Sequence, residues 1–256
     1  NKDVLFLHLG KTGGMSVIKY LCNVLKPPVY STIPEEIFNT GEYKKRGHEV
    51  LLPFHRHANL LEASGYLKKH HNLSIDNFKV IIVVIGNPVE MQYSYYNYLR
   101  KPNVIQRLSK NQANQKLLEA AQSNFNDFVL QGFTHHKGNL SDFFEIEGKV
   151  PPNLKIVKYE NLVIEIPKIV QPFTIKTIDF PQQNRSKKGY LPELSPKAKD
   201  EIRKMFGWVY KQNPVIEGNS INSNNQEKKY LFIGGVGRSG TSVLTGIVSS
   251  HSSIVL

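Results

Sequence analysis

Cysteine is almost missing from this sequence: Cys22 is the only one in 256 residues. That excludes a disulfide framework and any zinc site built on thiolates. Long apolar runs are missing too. No stretch approaches the ~18 residues of a membrane span, and no charged-then-apolar leader opens the chain, so neither a membrane span nor a signal peptide is expected within these residues. Acidic residues are scarce, 21 against 33 Lys plus Arg, which gives a formal charge of +12 and a pI near 9.6. Such a surface favours anionic partners: a nucleotide, a nucleic acid, an acidic polysaccharide or a membrane face. A hydrophobic content of 40% with 21% charged residues excludes wholesale disorder and supplies a packed core.

What is present reads as alternating strands and helices. Asp3 to Leu9 (DVLFLHL) is an apolar run of strand length, followed by the turn GKTGG and an amphipathic helix over Met15 to Leu25. Val80 to Ile85 has the Val/Ile continuity of a strand buried on both faces. Asn87-Pro88 then opens a helix through about Arg100, and Gln115 to Gln131 reads as another. Leu154 to Tyr159 is a third strand. Ser195-Pro196 caps a helix running to about Asn213. Residues 215–228 are polar and read as a linker. After them the opening pattern returns as KKYLFIGG, VGRSGT and SVLTGIVSSH. The organisation expected is a domain over 1–214, a linker over 215–228, and over 229–256 the truncated first strand–loop–helix unit of a second domain, too short to build its own core.

The turn Leu9 to Ser16 (LGKTGGMS) carries the strongest chemical signal. A glycine-rich turn between a buried strand and a helix aims backbone N–H groups and the positive helix end at an anion. Lys11 adds a point charge, and Thr12 and Ser16 add hydroxyls. The spacing is not that of a Walker A motif. The second unit repeats the layout with Arg238 in the lysine's place, and an arginine fork suits phosphate or sulfate oxygens.

These segments resemble the sulfotransferase family. HLGKTGG is similar to the 5′-phosphosulfate loop of those enzymes, and GNPVEMQYSYYNYLR (Gly86 to Arg100) to their 3′-phosphate segment. KYENL (Lys158 to Leu162) and NRSKKGYLPELSP (Asn184 to Pro196) resemble later blocks, in the same order. The second unit, with Arg-Ser-Gly-Thr, is similar to the tyrosylprotein sulfotransferase branch. The resemblance implies an α/β, P-loop NTPase-like three-layer fold with a central, mostly parallel sheet. It implies transfer of a sulfuryl group from 3′-phosphoadenosine 5′-phosphosulfate (PAPS) to an alcohol, leaving adenosine 3′,5′-bisphosphate and needing no metal. The acceptor expected is a carbohydrate hydroxyl.

Carried over residue by residue, the donor is held by Lys11, Thr12, Gly13, Gly14, Met15 and Ser16, by Asn87 and Ser94, and by Arg185, Ser186, Lys187 and Lys188. The second unit contributes Arg238, Ser239, Gly240 and Thr241. Lys11 also acts in catalysis by neutralising the leaving 5′-phosphate. Two positions depart from the pattern: Gly86 and Met91 stand where arginines are expected, while Asn87, Pro88, Glu90 and Ser94 are retained. A charged hydrogen bond to phosphate contributes ~1.5–3 kcal/mol, so its loss weakens a donor by one to two decades. Arg185, Lys187, Lys188 and Arg56 are the cations that could compensate.

The base is expected in FHRHAN, Phe54 to Asn59, because histidine titrates near neutral pH. This stretch resembles that of the heparan sulfate 2-O-sulfotransferase branch, which nominates His57 first and His55 second; were neither the base, Glu62 and His8 would be next in line. The pairs His70-His71 and His135-His136, beside lysines, read as solvated surface. Lys197 to Lys211 reads as a solvated helix face.

The alternative is a catalytically weak domain that binds an anion or glycan and supports the second unit. A P-loop kinase lacks its Walker A lysine and Mg²⁺ carboxylate, and no recognition motif points to nucleic acid. No motif sets an oligomeric state. The compartment follows the source: cytoplasmic for a bacterial enzyme, the Golgi lumen for a eukaryotic one.

Overall fold

The computed structural model describes residues 3–33, 50–53, 57–136, 138–181 and 190–212. The chain divides into two units, residues 1–217 and 218–256, and the break falls inside the segment expected to be a linker. The second unit, with Arg238, Ser239, Gly240 and Thr241, lies outside the described residues, as do His55, Arg56 and the stretch Arg185 to Lys188.

Five strands, Val4–Leu7 (β1), Val29–Ile33 (β2), Val50–Pro53 (β3), Val80–Ile85 (β4) and Leu154–Lys158 (β5), form one sheet in the order β3-β2-β1-β4-β5. Every pairing is parallel, with Leu5 opposite Tyr30 and Ile81, and Val83 opposite Ile156. A parallel sheet is covered on both faces, which explains why VLFL and VIIVVI are buried at every position. Side chains alternate between two cores. Leu5, Leu7, Ile81, Val83 and Ile85 face one layer; Val4, Phe6, Val80, Ile82 and Val84 face the other. Helices Gly14–Val24 (α1) and Leu162–Val170 (α7) close the second side with Val17, Ile18, Leu21, Ile166 and Val170. The first side is closed by Leu60–Tyr66 (α2), Pro88–Leu99 (α3), Gln115–Gln122 (α5) and Phe125–Leu130 (α6), with Pro102–Leu108 (α4) beside them. Pro196–Met205 (α8) and Gly207–Gln212 (α9) complete that layer. The architecture is a three-layer α/β fold.

Two expected helices are each split. The one read over 115–131 breaks at Ser123-Asn124, because Asn124 caps a new helix by accepting from the Asp127 N–H. The one starting at Ser195 breaks at Phe206, whose ring is fully buried. Trp208 beyond the break stacks on Phe144 at 3.8 Å and donates to Glu145.

The order of the strands locates the functional end of the sheet. From β1 the chain steps outward through β2 and β3, then returns to the opposite side of β1 with β4. Ligands of doubly wound sheets bind outside the carboxyl ends of the strands where the order reverses. Here that crevice is rimmed by the residues after β1, from His8 to Gly13, and after β4, Gly86 and Asn87.

Candidate functional site

The turn after β1 is built from its own polar groups. Thr12 is fully buried, and its hydroxyl donates to the Leu9 carbonyl at 2.7 Å. It therefore fixes the turn and does not offer the hydroxyl to an anion, which corrects one part of the sequence expectation. Lys11 and Gly13 both adopt left-handed backbone, at φ 65° and 72°. The Gly13 carbonyl accepts from the Ser16 and Val17 N–H groups and starts α1. Among the described residues no side chain caps α1, and its first turn holds no acidic residue. Ahead of those bonds the Gly14 and Met15 N–H groups have no preceding helical carbonyl to pair with, and they lie at the positive end of the helix dipole. Met15 packs against the core and Ser16 is buried, so the two contribute backbone more than side chain.

Two glycines here are required by close approach. A Cβ on Gly14 would lie 1.9 Å from Cδ2 of His8, and one on Gly10 would lie 2.6 Å from Nδ1 of His135. Imidazole rings thus press on the turn from two directions. His8 is buried, and its N–H donates to Thr32 on β2 at 2.7 Å.

His57 is the sequence-nominated base that the structure places at this turn. It is buried and left-handed at φ 66°, and its Nδ1 lies 2.7 Å from the His8 carbonyl oxygen. A carbonyl can only accept, so Nδ1 carries the proton and Nε2 is the basic nitrogen of the neutral ring. The ring meets His8 edge-on at 4.7 Å and His135 at 4.4 Å. The backbone turns at His57, so this residue does not sit in extended strand, and the comparison with His55 lies outside the described residues. Glu62 is removed from the candidates: its carboxylate accepts from the Asn59 N–H while Asn59 caps the Glu62 N–H, a reciprocal capping box at the start of α2.

His135 and His136 are not solvated surface. His135 is wedged among Gly10, His57 and Tyr95, 4.8 Å from that tyrosine. His136 is buried against Phe206, and burial lowers its pKa from 6.5 to about 4. Sequence reading missed both because the segment 131–139 has no periodicity and a lysine follows. Tyr98 was also missed as a site residue: Lys11 Nζ lies over its ring, 4.9 Å from the centroid. Its hydroxyl accepts from Arg107 at 2.6 Å.

The rim at β4 is different in kind. Asn87 is the cap of α3, its Oδ1 accepting from Val89 and Glu90. Ser94 is half-buried further along α3. Met91 is buried with its Cγ only 3.2 Å from where a Cβ on Gly86 would stand. Thus Lys11, Thr12, Gly13, Gly14, Ser16 and His57 come together, joined by His8, His135 and Tyr98. Asn87 and Ser94 lie on the neighbouring helix. Among the described residues no group of His, Cys, Asp or Glu could hold a metal, and no helix is long and apolar enough to cross a membrane. Compared with family models, with curated proteins and with solved structures, the chain finds no match in any of the three.

Proposed function

We propose that the first unit is a P-loop-like sulfotransferase that moves a sulfuryl group from PAPS to an alcohol, with a carbohydrate hydroxyl as the acceptor. The observation that carries this reading is the hydrogen bond from His57 to the carbonyl of His8, the residue from which the Lys11 turn starts. It joins the candidate base to the candidate anion loop across 49 residues of sequence. In the reaction, Nε2 of His57 takes the acceptor's proton as its oxygen bonds to sulfur, and the bond from sulfur to the 5′-phosphate oxygen breaks. Lys11 and the leading N–H groups of α1 take up the charge that develops on the leaving phosphate. Positioning and charge stabilisation dominate such transfers, which ask little covalent chemistry of the protein.

The packing of Met91 at Gly86 favours a second reading, a domain that binds an anion or glycan and turns over slowly or not at all. Transfer of labelled sulfate from PAPS to a glycan panel separates the two. Sulfated product that depends on the protein supports the enzyme; no product at high protein concentration, with an anion still bound, supports the binding domain.

A further inference from the structure

Resting on the reading of the Lys11 turn as part of a sulfuryl-donor site, we propose that Tyr98 is a positioning residue for Lys11. The face of its ring holds the ammonium group at the turn, and Arg107 and His135 fix the ring.

A lysine carries its charge at the end of a flexible stem, so a turn that fixes its backbone does not by itself fix its ammonium. The contact with Tyr98 supplies that constraint. Nζ lies 4.9 Å from the ring centroid, over the negative face of the π system, which attracts a cation. The ring is held in turn from two sides. Its hydroxyl accepts from Arg107 Nη2 at 2.6 Å, and its centroid lies 6.2 Å from that of His135. His135 is itself wedged at Gly10, the residue before Lys11, and against Tyr95 at 4.8 Å. Tyr95 and Tyr98 stand three apart on α3 and so share a face. That face therefore supports two consecutive residues of the turn, Gly10 through His135 and Lys11 through the Tyr98 ring. An aromatic ring suits this task better than a carboxylate. A carboxylate would neutralise the ammonium and repel the nucleotide, whereas a ring steers the cation and leaves its charge available. A lysine held in place beforehand meets the charge on the leaving phosphate as it develops, without reorganisation.

Two measurements on the full chain test the proposal, and one of them needs no turnover. Reductive methylation with isotopically labelled formaldehyde gives each lysine an NMR signal and keeps its charge; the Lys11 signal is the one missing from Lys11→Ala. In the wild type the ring current of Tyr98 should displace that signal upfield. Tyr98→Leu should return it to the range of the other lysines, and Tyr98→Phe should restore the displacement. On unmodified protein, Tyr98→Leu should lower kcat for sulfate transfer from PAPS by about ten-fold, with the donor KM within about three-fold, and Tyr98→Phe should rescue most of the loss. Fluorinated phenylalanines at position 98 keep the ring's shape and drain its negative face, so kcat should fall stepwise with fluorine content. A purely structural role would leave that series flat, and a flat series overturns the proposal. An undisplaced Lys11 signal in the wild type, or a Tyr98→Leu variant as fast as wild type, also overturns it; the sulfotransferase reading then stands on the wild-type rate. A wild type that shows the displaced signal yet transfers no sulfate overturns that reading, and the role of Tyr98 in transfer with it. Should Tyr98→Leu not fold, the fluorinated series decides.

Discussion

The His57 Nδ1 proton is held by the carbonyl oxygen of His8 at 2.7 Å. One bond thereby sets the tautomer of a buried imidazole and ties it to the strand end that launches the Lys11 turn.

The first prediction follows from that tie. His57→Ala should lower turnover by about 10²–10⁴-fold, the usual general-base contribution, while nucleotide affinity measured by calorimetry stays within about three-fold. His55→Ala is the comparison. A dead His55 variant beside a normal His57 variant transfers the role to His55, and full activity in both removes the motif from the chemistry.

Lys11 carries a side chain at φ 65°, where a non-glycine residue costs roughly 1 kcal/mol. Lys11→Gly should therefore raise the melting temperature slightly while abolishing sulfuryl transfer, and Lys11→Ala should abolish transfer without the gain. Wild-type rates in either variant at saturating donor would take Lys11 out of the mechanism.

Gly14 and Gly65 make a matched pair. A methyl on Gly14 would meet the His8 ring at 1.9 Å, whereas one on Gly65, in the exposed face of α2, meets nothing within 4 Å. Gly14→Ala should destabilise by about 1–3 kcal/mol or more, as overpacking does. Gly65→Ala should stabilise by about 0.5–1 kcal/mol through helix propensity. Urea unfolding of both gives the sign directly; a neutral Gly14→Ala would mean that the His8 ring can move aside.

Acid should weaken the fold through His136. Its folded pKa is depressed to about 4 while the unfolded side chain titrates near 6.5. Stability is therefore full above pH 6.5 and is lost as the pH falls, levelling near 4. At 1.36 kcal/mol per unit the loss is about 3 kcal/mol. His136→Phe, which keeps a ring against Phe206, should flatten the difference between urea midpoints at pH 7 and pH 4.5. An equal drop in both proteins would place the acid sensitivity elsewhere.

The parts of the fold that were legible are those whose local pattern and tertiary role agree. Val80–Ile85 was readable because a doubly buried strand shows as an unbroken apolar run, and α3 because Asn87-Pro88 punctuates its start. Strands β2 and β3 were not read: VYSTI mixes Ser31 and Thr32 into a strand, and both are fully buried, with Thr32 receiving the His8 N–H. Lys11 and His57 were nominated by type and motif. His135 and Tyr98 could not be, because their significance lies in which residues they touch across the chain, a relation that no spacing records.

The contact between His135 and Gly10 limits how portable this turn is. The strand, turn and helix over residues 4–24 look like a cassette that could be grafted into another scaffold, yet one wall of the turn comes from a ring more than a hundred positions downstream. A transplanted segment would carry the sequence of the turn without the packing that gives it a shape. Local sequence in this protein names the candidate groups, and distant sequence decides whether they converge.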